Sequence, residues 1–285
     1  MKLKKTYVQK PRKWKKNLYE NHGFLDNYTD TSFLEELRKN LNVKDSPLPT
    51  IILGAGRVTH ELCIIVLFTV IFVYLYNGWV EPEAVFMYSG CLTSLGYILY
   101  RFFLTAAMPY TTLLKDLRTV LVFLGFGYVL SPVLKTLTDT ISTDTIYAMS
   151  TFMMFIHLVF FDYGISASIV SSALSLNAAL FASVCLASRL ATPFHAFVLL
   201  TNTVECFALL PILVAEIEDS AVILSTVILL SLVALCTVSV TMTVLFSCVV
   251  IFVTIICPLL FKKWTRYKEN IYGPWDEAVV EDQEM

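Results

Sequence analysis

Long apolar runs alternate with short polar segments along most of this 285-residue chain. A helix needs about 20 apolar residues to cross the hydrocarbon core of a bilayer. At that length, the runs predict an all-α, polytopic transmembrane bundle of about eight helices. The predicted spans cover residues 59–76, 84–104, 117–137, 145–161, 166–187, 194–215, 220–238 and 241–261.

The last two spans come from one block, residues 220–261, in which 42 residues carry no charge. This is about twice the length that one helix needs for a crossing. The block therefore has to contain a turn. The polar stretch "CTVSVTMT" at 236–243 is the best candidate, although it contains neither Gly nor Pro.

The polar ends of the chain divide it into a basic segment at 1–57, the bundle at 58–261 and a tail at 262–285. In the first segment, "TSFLEELRKNL" predicts a short amphipathic helix. Ser32 and Glu35 have the spacing of a capping box, and four apolar side chains fall on one helical face. This helix is expected to dock on the bilayer surface or on a partner. The four apolar residues are Phe33, Leu34, Leu37 and Leu41.

Composition excludes a water-soluble globule. The chain is 56% hydrophobic and 15% charged, with mean hydropathy +0.68, whereas soluble domains average about 45–50% apolar and about 25% charged residues. The seven cysteines all lie in apolar runs without a CxxC spacing. They are therefore interpreted as small buried hydrophobic residues.

The basic residues predict an orientation. With eight spans, 12 Lys or Arg precede the first span, three flank the loop after the second and four lie in the tail, which is 19 of 21. Only Lys135 and Arg189 fall on the opposite side. The positive-inside rule therefore predicts cytosolic termini. The one glycosylation sequon, at Asn27, lies in the predicted cytosolic segment, so a glycan there would contradict this topology.

Several enzyme motifs begin in the sequence and are not completed. "GAGRVT" at 54–59 starts like GxGxxG but ends in Thr and leads into a span, and "HELCI" at 60–64 lacks the second His of HExxH. Two acidic residues, Glu81 and Glu83, have the spacing found in polyprenyl-sugar transferases, but their loop of some seven residues is too short to hold a sugar, an acceptor and a metal. No catalytic residue, cofactor or metal site is predicted.

Polar residues at membrane depth are candidates for function because burying a charge in hydrocarbon costs several kcal/mol. Glu205 lies near the middle of the sixth span beside Asn202, and His157 lies in the fourth. One interpretation is an interhelical hydrogen bond in which Glu205 meets Asn177, His157 or a partner's helix. The other is contact with a lipid headgroup or a hydrophilic groove.

The fifth span is dense in small residues. Ser168/Ser172, Ser171/Ser175 and Ala179/Ser183 each have a small-xxx-small spacing. Small residues let helix backbones approach closely. This span is therefore predicted to lie at the centre of the bundle or at a subunit interface.

Three basic residues at the ends of spans two and three are candidates for binding a lipid headgroup at the cytosolic face: Arg101, Lys115 and Arg118. Charges of this kind are also expected there from the positive-inside rule alone.

The polar stretch "SPVLKTLTDTISTDTIYAMS" at 131–150 separates spans three and four. Pro132 is expected to kink the third span and Lys135 to reach the surface. Thr143 or Asp144 is predicted to cap the fourth span. The orientation places this turn on the luminal side.

Four stretches together resemble the PIG-C family, whose members are the C component of the phosphatidylinositol N-acetylglucosaminyltransferase complex. They match in the same order from Trp14 to Ala278, and they are "WKKNLYENHGFLDNYTDTSFLEELRKN" (14–40), "SPVLKTLTDTISTDTIYAMS" (131–150), "FFDYGISASIVSSALSLNAALFASVCLASRL" (160–190) and "KENIYGPWDEA" (268–278).

The resemblance implies a role in the first step of glycosylphosphatidylinositol (GPI) anchor synthesis, at the endoplasmic reticulum membrane. There the complex transfers GlcNAc from UDP-GlcNAc to phosphatidylinositol on the cytosolic face. It also implies that the chemistry resides in the PIG-A protein, with PIG-H, PIG-P and PIG-Q as further partners. No catalytic residues carry over to this chain.

Two hypotheses follow. In the first, the chain is a non-catalytic scaffold that holds the catalytic subunit at the bilayer and helps to present phosphatidylinositol. In the second, it handles lipid with an activity of its own, as a lipid-linked glycosyltransferase or a scramblase-like conduit.

Overall fold

The computed structural model describes residues 38–39, 46–101, 110–164, 170–216, 221–268 and 271–272. The chain forms two compact units. One comprises Met1–Ser46 with Lys263–Met285, and the other comprises Pro47–Lys262.

Eight long helices are present in the described part of the chain, and the all-α bundle is confirmed. Six of them are long and apolar enough to cross a membrane, whereas the second and fifth fall below that criterion of length and hydropathy. The helices are α1 (Leu48–Asn77), α2 (Pro82–Leu99), α3 (Tyr110–Thr136), α4 (Thr143–Phe160), α5 (Ser172–Ala187), α6 (Pro193–Ala215), α7 (Ala221–Val238) and α8 (Val240–Thr265).

Helix α1 starts 11 residues before the predicted span at 59. Pro47 is its extended N-cap and a second proline follows within the first turn. Proline is favoured there because the first backbone N–H groups of a helix have no partner inside it. The helix ends at Gly78, whose φ of 66° is left-handed and whose N–H bonds back to Leu75 O. The prolines at 47 and 49 therefore begin the first helix of the bundle.

Helix α6 lies at the centre of the bundle. It packs against α1, α2, α3 and α5, while α1 also packs on α7 and α8. Helix α6 is interrupted by a π-helical turn at Glu205–Leu209, and α8 by another at Phe252–Ile256. Such turns often occur at functional positions in helices.

The tightest helix pairing in the bundle is α4 on α5. The small side chains of α5 make it possible, since Ala179, Ala182 and Ser183 are all 0% exposed. Across the interface, the Ser150 hydroxyl donates to the Ala182 carbonyl over 3.3 Å. The small residues of the fifth span therefore let a neighbouring helix approach closely, and its position at the centre of the bundle or at a subunit interface stays a prediction. Its helix starts at Ser172 rather than at 166, and Ser168 lies outside the described residues.

Two basic side chains link the loop after α3 with the loop after α5: Arg189 binds the first loop, and Lys135 of α3 binds the second. The Arg189 guanidinium donates to the carbonyls of Thr138 and Ile141, each over 2.8 Å, and Lys135 Nζ donates to the Ala191 carbonyl over 2.6 Å. Pro132 lies inside α3, as expected. The two basic residues on this side of the bundle therefore bind backbone.

The cap of α4 differs from the prediction. Ser142 is the N-cap, and its Oγ accepts from Thr145 N, so Thr143 and Asp144 belong to the first helical turn. The reason is the backbone at Ser142, which is extended (φ −64°, ψ 148°) and so aims its side chain at the free N–H groups. Asp144 still contributes a negative charge near the positive end of the helix dipole.

The predicted turn within residues 236–243 is confirmed. Helix α7 ends at Val238 and α8 begins at Val240, with Ser239 between them. Ser239 is extended, and its side chain accepts from Met242 N over 3.5 Å. One extended serine is sufficient to separate the two helices.

The terminal unit contains an antiparallel pair of two-residue strands, β1 (Arg38–Lys39) and β2 (Ile271–Tyr272). Where described, the predicted amphipathic helix is therefore wrong: Arg38 and Lys39 are in a strand, because they bond to a segment more than 200 residues away in the sequence. The rest of that helix, with Ser32 and Glu35, lies outside the described residues, as do Asn27 and most of 268–278.

Candidate functional site

The most deeply buried ionisable groups in the described bundle form a pair between α1 and α4. Glu61 Oε1 lies 2.9 Å from His157 Nε2, and the two residues are 2% and 0% exposed. Mutual hydrogen bonding is the condition under which such groups are tolerated inside a membrane protein.

Helix α5 provides the hydrogen-bond partners on the other side of the histidine ring. His157 Nδ1 lies 2.8 Å from Ser175 Oγ and 3.0 Å from the Ser175 carbonyl oxygen, and Ser175 Oγ donates to the His157 carbonyl over 3.1 Å. This pattern assigns the proton on Nδ1 as a donor to Ser175. The network therefore links α1, α4 and α5 with each of these polar atoms paired.

Aromatic rings enclose this network. Phe207, carried by the π-helical turn of α6, packs edge-on to the imidazole with ring centroids 4.7 Å apart, and Phe161 packs at 5.5 Å. Phe207 also contacts Phe68 of α1 at 5.3 Å. An apolar enclosure strengthens the hydrogen bonds inside it and makes loss of either partner costly. Ser175 is 2% exposed, so this Glu–His–Ser set cannot reach a substrate as a catalytic triad would.

A cavity of about 610 Å³ lies beside the network, and Glu61 lines it. Ligand pockets typically measure about 300–1,000 Å³. The cavity is bounded by the first half of α1, the loop after α4, the end of α6 and the start of α7. Its polar lining consists of Arg57, His60, Glu61, Asp162, Tyr163 and Glu216.

The loop at 161–164 is held in place by polar contacts. Arg57 Nη1 donates to the Tyr163 carbonyl over 2.7 Å, Tyr163 OH donates to the Leu158 carbonyl over 2.7 Å, and the Asp162 carboxylate accepts from Gly164 N over 2.9 Å. Gly164 has a φ of 75°, and a Cβ there would lie 3.0 Å from Arg57 Nη1. Burial raises the pKa of the Tyr163 phenol, which therefore stays a hydrogen-bond donor. The polar rim of the cavity is thus a fixed structure.

Comparison with known proteins gives the family. The family model described as GPI2, phosphatidylinositol N-acetylglucosaminyltransferase, matches residues 14–276. The chain belongs to the GPI2 family. No solved structure matches it.

Curated GPI2-family relatives align over nearly the full chain. Proteins from Bos taurus and Homo sapiens, each named as the C subunit of phosphatidylinositol N-acetylglucosaminyltransferase, are 41% identical to it, covering 95% of this chain and 94% of the relative. The Schizosaccharomyces pombe protein named the GPI2 subunit of that enzyme is 30% identical, covering 96% of this chain and 89% of the relative.

The structure of this GPI2-family chain separates the predicted intramembrane residues. His157 is buried with Glu61, not with Glu205 or Asn177, and Asn177 is exposed on α5. Asn202 is buried and accepts a hydrogen bond from the Cys206 thiol over 3.6 Å. The predicted links of Glu205 to Asn177 or His157 within the bundle are therefore wrong, because α5 turns Asn177 outward and Glu61 occupies the ring nitrogen.

Glu205 instead faces α2. Its carboxyl lies near Ser89 and Thr93 of that helix, while its Oε2 is buried without a partner in the described part of the chain. It lies at the first position of the π-helical turn. The assignment of Glu205 to lipid contact stays a prediction.

The three predicted headgroup residues lie at the ends of α2 and α3. Arg101 Nη1 donates to Tyr97 OH over 2.9 Å and lies 3.9 Å from the Asp116 carboxylate. Lys115 and Arg118 are exposed on α3. None of the three lines the cavity, and their binding of lipid stays a prediction.

Sequence reasoning missed Glu61 and Arg57. Both lie in the incomplete enzyme motifs, "HELCI" and "GAGRVT". The signal that identifies them is their place at the start of an otherwise apolar helix, where ionisable residues need a partner. In the described residues, no group of three His, Cys, Asp or Glu side chains is arranged to hold a metal ion.

Proposed function

We propose that this chain is the C component of a complex that transfers GlcNAc from UDP-GlcNAc to phosphatidylinositol, the first step of GPI-anchor synthesis. The observation that carries this proposal is 41% identity over 95% of the chain to relatives named as that component. A described bundle of eight helices, six of them long enough to cross a bilayer, is consistent with a membrane subunit.

Within the complex, the chain acts as a scaffold for the catalytic subunit, PIG-A, together with PIG-H, PIG-P and PIG-Q, and it helps to present phosphatidylinositol. The enclosed state of the Glu61–His157–Ser175 network supports a non-catalytic role, because the hydroxyl of that network is buried. The catalytic step therefore belongs to another subunit.

The chain resides in the endoplasmic reticulum membrane with both termini in the cytosol. Two observations support this orientation. Nineteen of the 21 basic residues fall on one side of an eight-span topology. Strand β1 precedes the eight helices, and its partner β2 follows them, so an even number of crossings accounts for their pairing.

Deletion of residues 14–41 tests the scaffold role. We expect the deletion to abolish co-purification of the catalytic subunit with this chain. Removal of residues 279–285, which lie beyond the family match, is the matched control and should leave co-purification intact. Intact co-purification after the 14–41 deletion contradicts the scaffold role.

The Glu205→Gln substitution separates the scaffold from a chain with its own lipid activity. As a scaffold, the variant should assemble and support nearly normal transfer. Complete loss of transfer in a fully assembled complex would favour the second hypothesis.

A further inference from the structure

The cavity beside Glu61 lies at the depth of lipid headgroups. Arg57 precedes Asn77, the last residue of α1, by 20 residues or about 30 Å along the helix. The hydrocarbon core of a bilayer is also about 30 Å thick. With Asn77 at one boundary, Arg57 therefore lies at the other, where phospholipid phosphates are found.

Glu61, the member of the buried network that lines the cavity, lies just below this boundary. Glu61 is one helical turn further along α1 than Arg57, or about 6 Å deeper. There its carboxyl is hydrogen-bonded to His157. The cavity therefore ends where the hydrocarbon begins.

The walls of the cavity differ in chemistry. Helix α1 and the loop after α4 supply most of the polar groups, and Glu216 adds one just after α6. The end of α6 and the start of α7 otherwise supply an apolar wall of Leu210, Val214, Ile223 and Leu224. A phospholipid has the same division, with a charged headgroup joined to acyl chains. Small polar metabolites such as nucleotide sugars have no part that matches the apolar wall.

The charges on the polar side favour a particular headgroup. Arg57 supplies a guanidinium, whose planar donors suit a phosphate oxygen. Asp162 and Glu216 are exposed carboxylates on the rim, and carboxylates accept hydrogen bonds from hydroxyl groups. A phosphodiester that carries a polyol offers an oxygen to the guanidinium and hydroxyl donors to the carboxylates. A choline headgroup offers no hydroxyl or N–H donor.

We infer that this cavity binds the headgroup of phosphatidylinositol, with the phosphodiester on Arg57, inositol hydroxyls on Asp162 and Glu216, and the first acyl carbons against α6 and α7. The inference rests on the proposed function for the identity of the lipid. In this assignment, the site that presents phosphatidylinositol to the catalytic subunit is formed entirely by residues of this chain.

Kinetics of the purified complex test the assignment. In mixed micelles containing phosphatidylinositol, Arg57→Gln should raise KM for this lipid about 10- to 100-fold, the range expected for one charge-assisted hydrogen bond. The value of kcat and the KM for UDP-GlcNAc should change little. Arg57→Lys should recover part of the loss, and Lys263→Gln, which replaces an exposed cation of α8 outside the cavity, is the matched control.

Because Arg57→Gln also removes the Arg57–Tyr163 contact, a second variant tests the cavity while that contact is kept. Ile223→Trp fills the cavity from its apolar wall without altering Arg57, and it leaves the close packing of Leu224 Cδ2 on Gly56 in place. It should raise KM for phosphatidylinositol in the same way. Unchanged KM in both variants, with the complex assembled, overturns the inference.

Photolabelling gives a direct readout in the assembled complex. Phosphatidylinositol with a diazirine near the start of an acyl chain should label 210–215 and 223–224, and excess unlabelled phosphatidylinositol should compete better than phosphatidylcholine. Labelling elsewhere, or equal competition by the two lipids, overturns the inference. Either result leaves the proposed function standing, since that depends on co-purification with the catalytic subunit.

Discussion

Replacing Glu61 by leucine removes the buried partner of His157. The imidazole Nε2 then faces Phe161 and Phe207, whose rings cannot replace the carboxyl as a hydrogen-bond partner. Breaking a buried pair from one side typically costs about 3–5 kcal/mol, because the remaining group keeps its desolvation penalty. We therefore expect the folded-to-unfolded ratio to fall by about 10²- to 4 × 10³-fold.

The double variant Glu61→Leu with His157→Phe should recover much of this loss. It removes both polar side chains and replaces them with apolar groups, a change that is often nearly neutral. Ser175 Oγ keeps its acceptor in this variant, because it donates to the backbone carbonyl of position 157. The coupling between the two sites should be at least about 2 kcal/mol, within the range for residues in direct contact.

Equilibrium unfolding in micelles with a rising fraction of SDS, followed by circular dichroism, measures these differences. Glu61→Gln is the matched control, because its amide still donates to Nε2, and its cost should be about 1 kcal/mol. Additive effects of the Glu61→Leu and His157→Phe substitutions would refute the reasoning. A Glu61→Gln variant as unstable as Glu61→Leu would do the same.

Three further substitutions probe the loops, each by the same unfolding titration. Arg189→Ala removes the charged donor to three carbonyls of the α3–α4 turn and should cost about 2–3 kcal/mol; no change means that the turn holds itself. Ser142→Ala removes the α4 cap and should cost about 1 kcal/mol, whereas Thr143→Ala should cost clearly less; the reverse order would make Thr143 the cap. Gly164→Ala places a Cβ at a φ of 75° beside Arg57 and should cost about 1–2 kcal/mol, with weaker phosphatidylinositol photolabelling; unchanged labelling contradicts the link between this loop and the cavity.

Much of the bundle could be predicted from the sequence because membrane helices are set by a simple length and polarity rule. The eight predicted spans each correspond to a helix, and even the division of the chargeless block falls at Ser239, inside the predicted stretch. Helix starts were less predictable. Helix α1 extends to Leu48 because prolines are compatible with a first helical turn. Proline residues that end one helix can therefore equally mark the start of the next.

The candidate site was less predictable, since it depends on contacts between distant segments. Glu61 and His157 are 96 residues apart in the sequence, and no local pattern pairs them. The helical face on which Asn177 lies is also hard to predict, because α5 is apolar on all sides and its rotation is decided by packing of its small residues. Two interpretations were open for His157, and the structure pairs it with Glu61, a partner that neither of them named.

The most direct test of the account is GlcNAc-phosphatidylinositol formation in membranes of cells that lack their own protein of this family. Expression of this chain should restore transfer from UDP-GlcNAc. The Arg57→Gln variant should restore assembly of the complex, but transfer only at high phosphatidylinositol. No transfer with the wild-type chain, although it is present in the membrane with the catalytic subunit, would contradict the account.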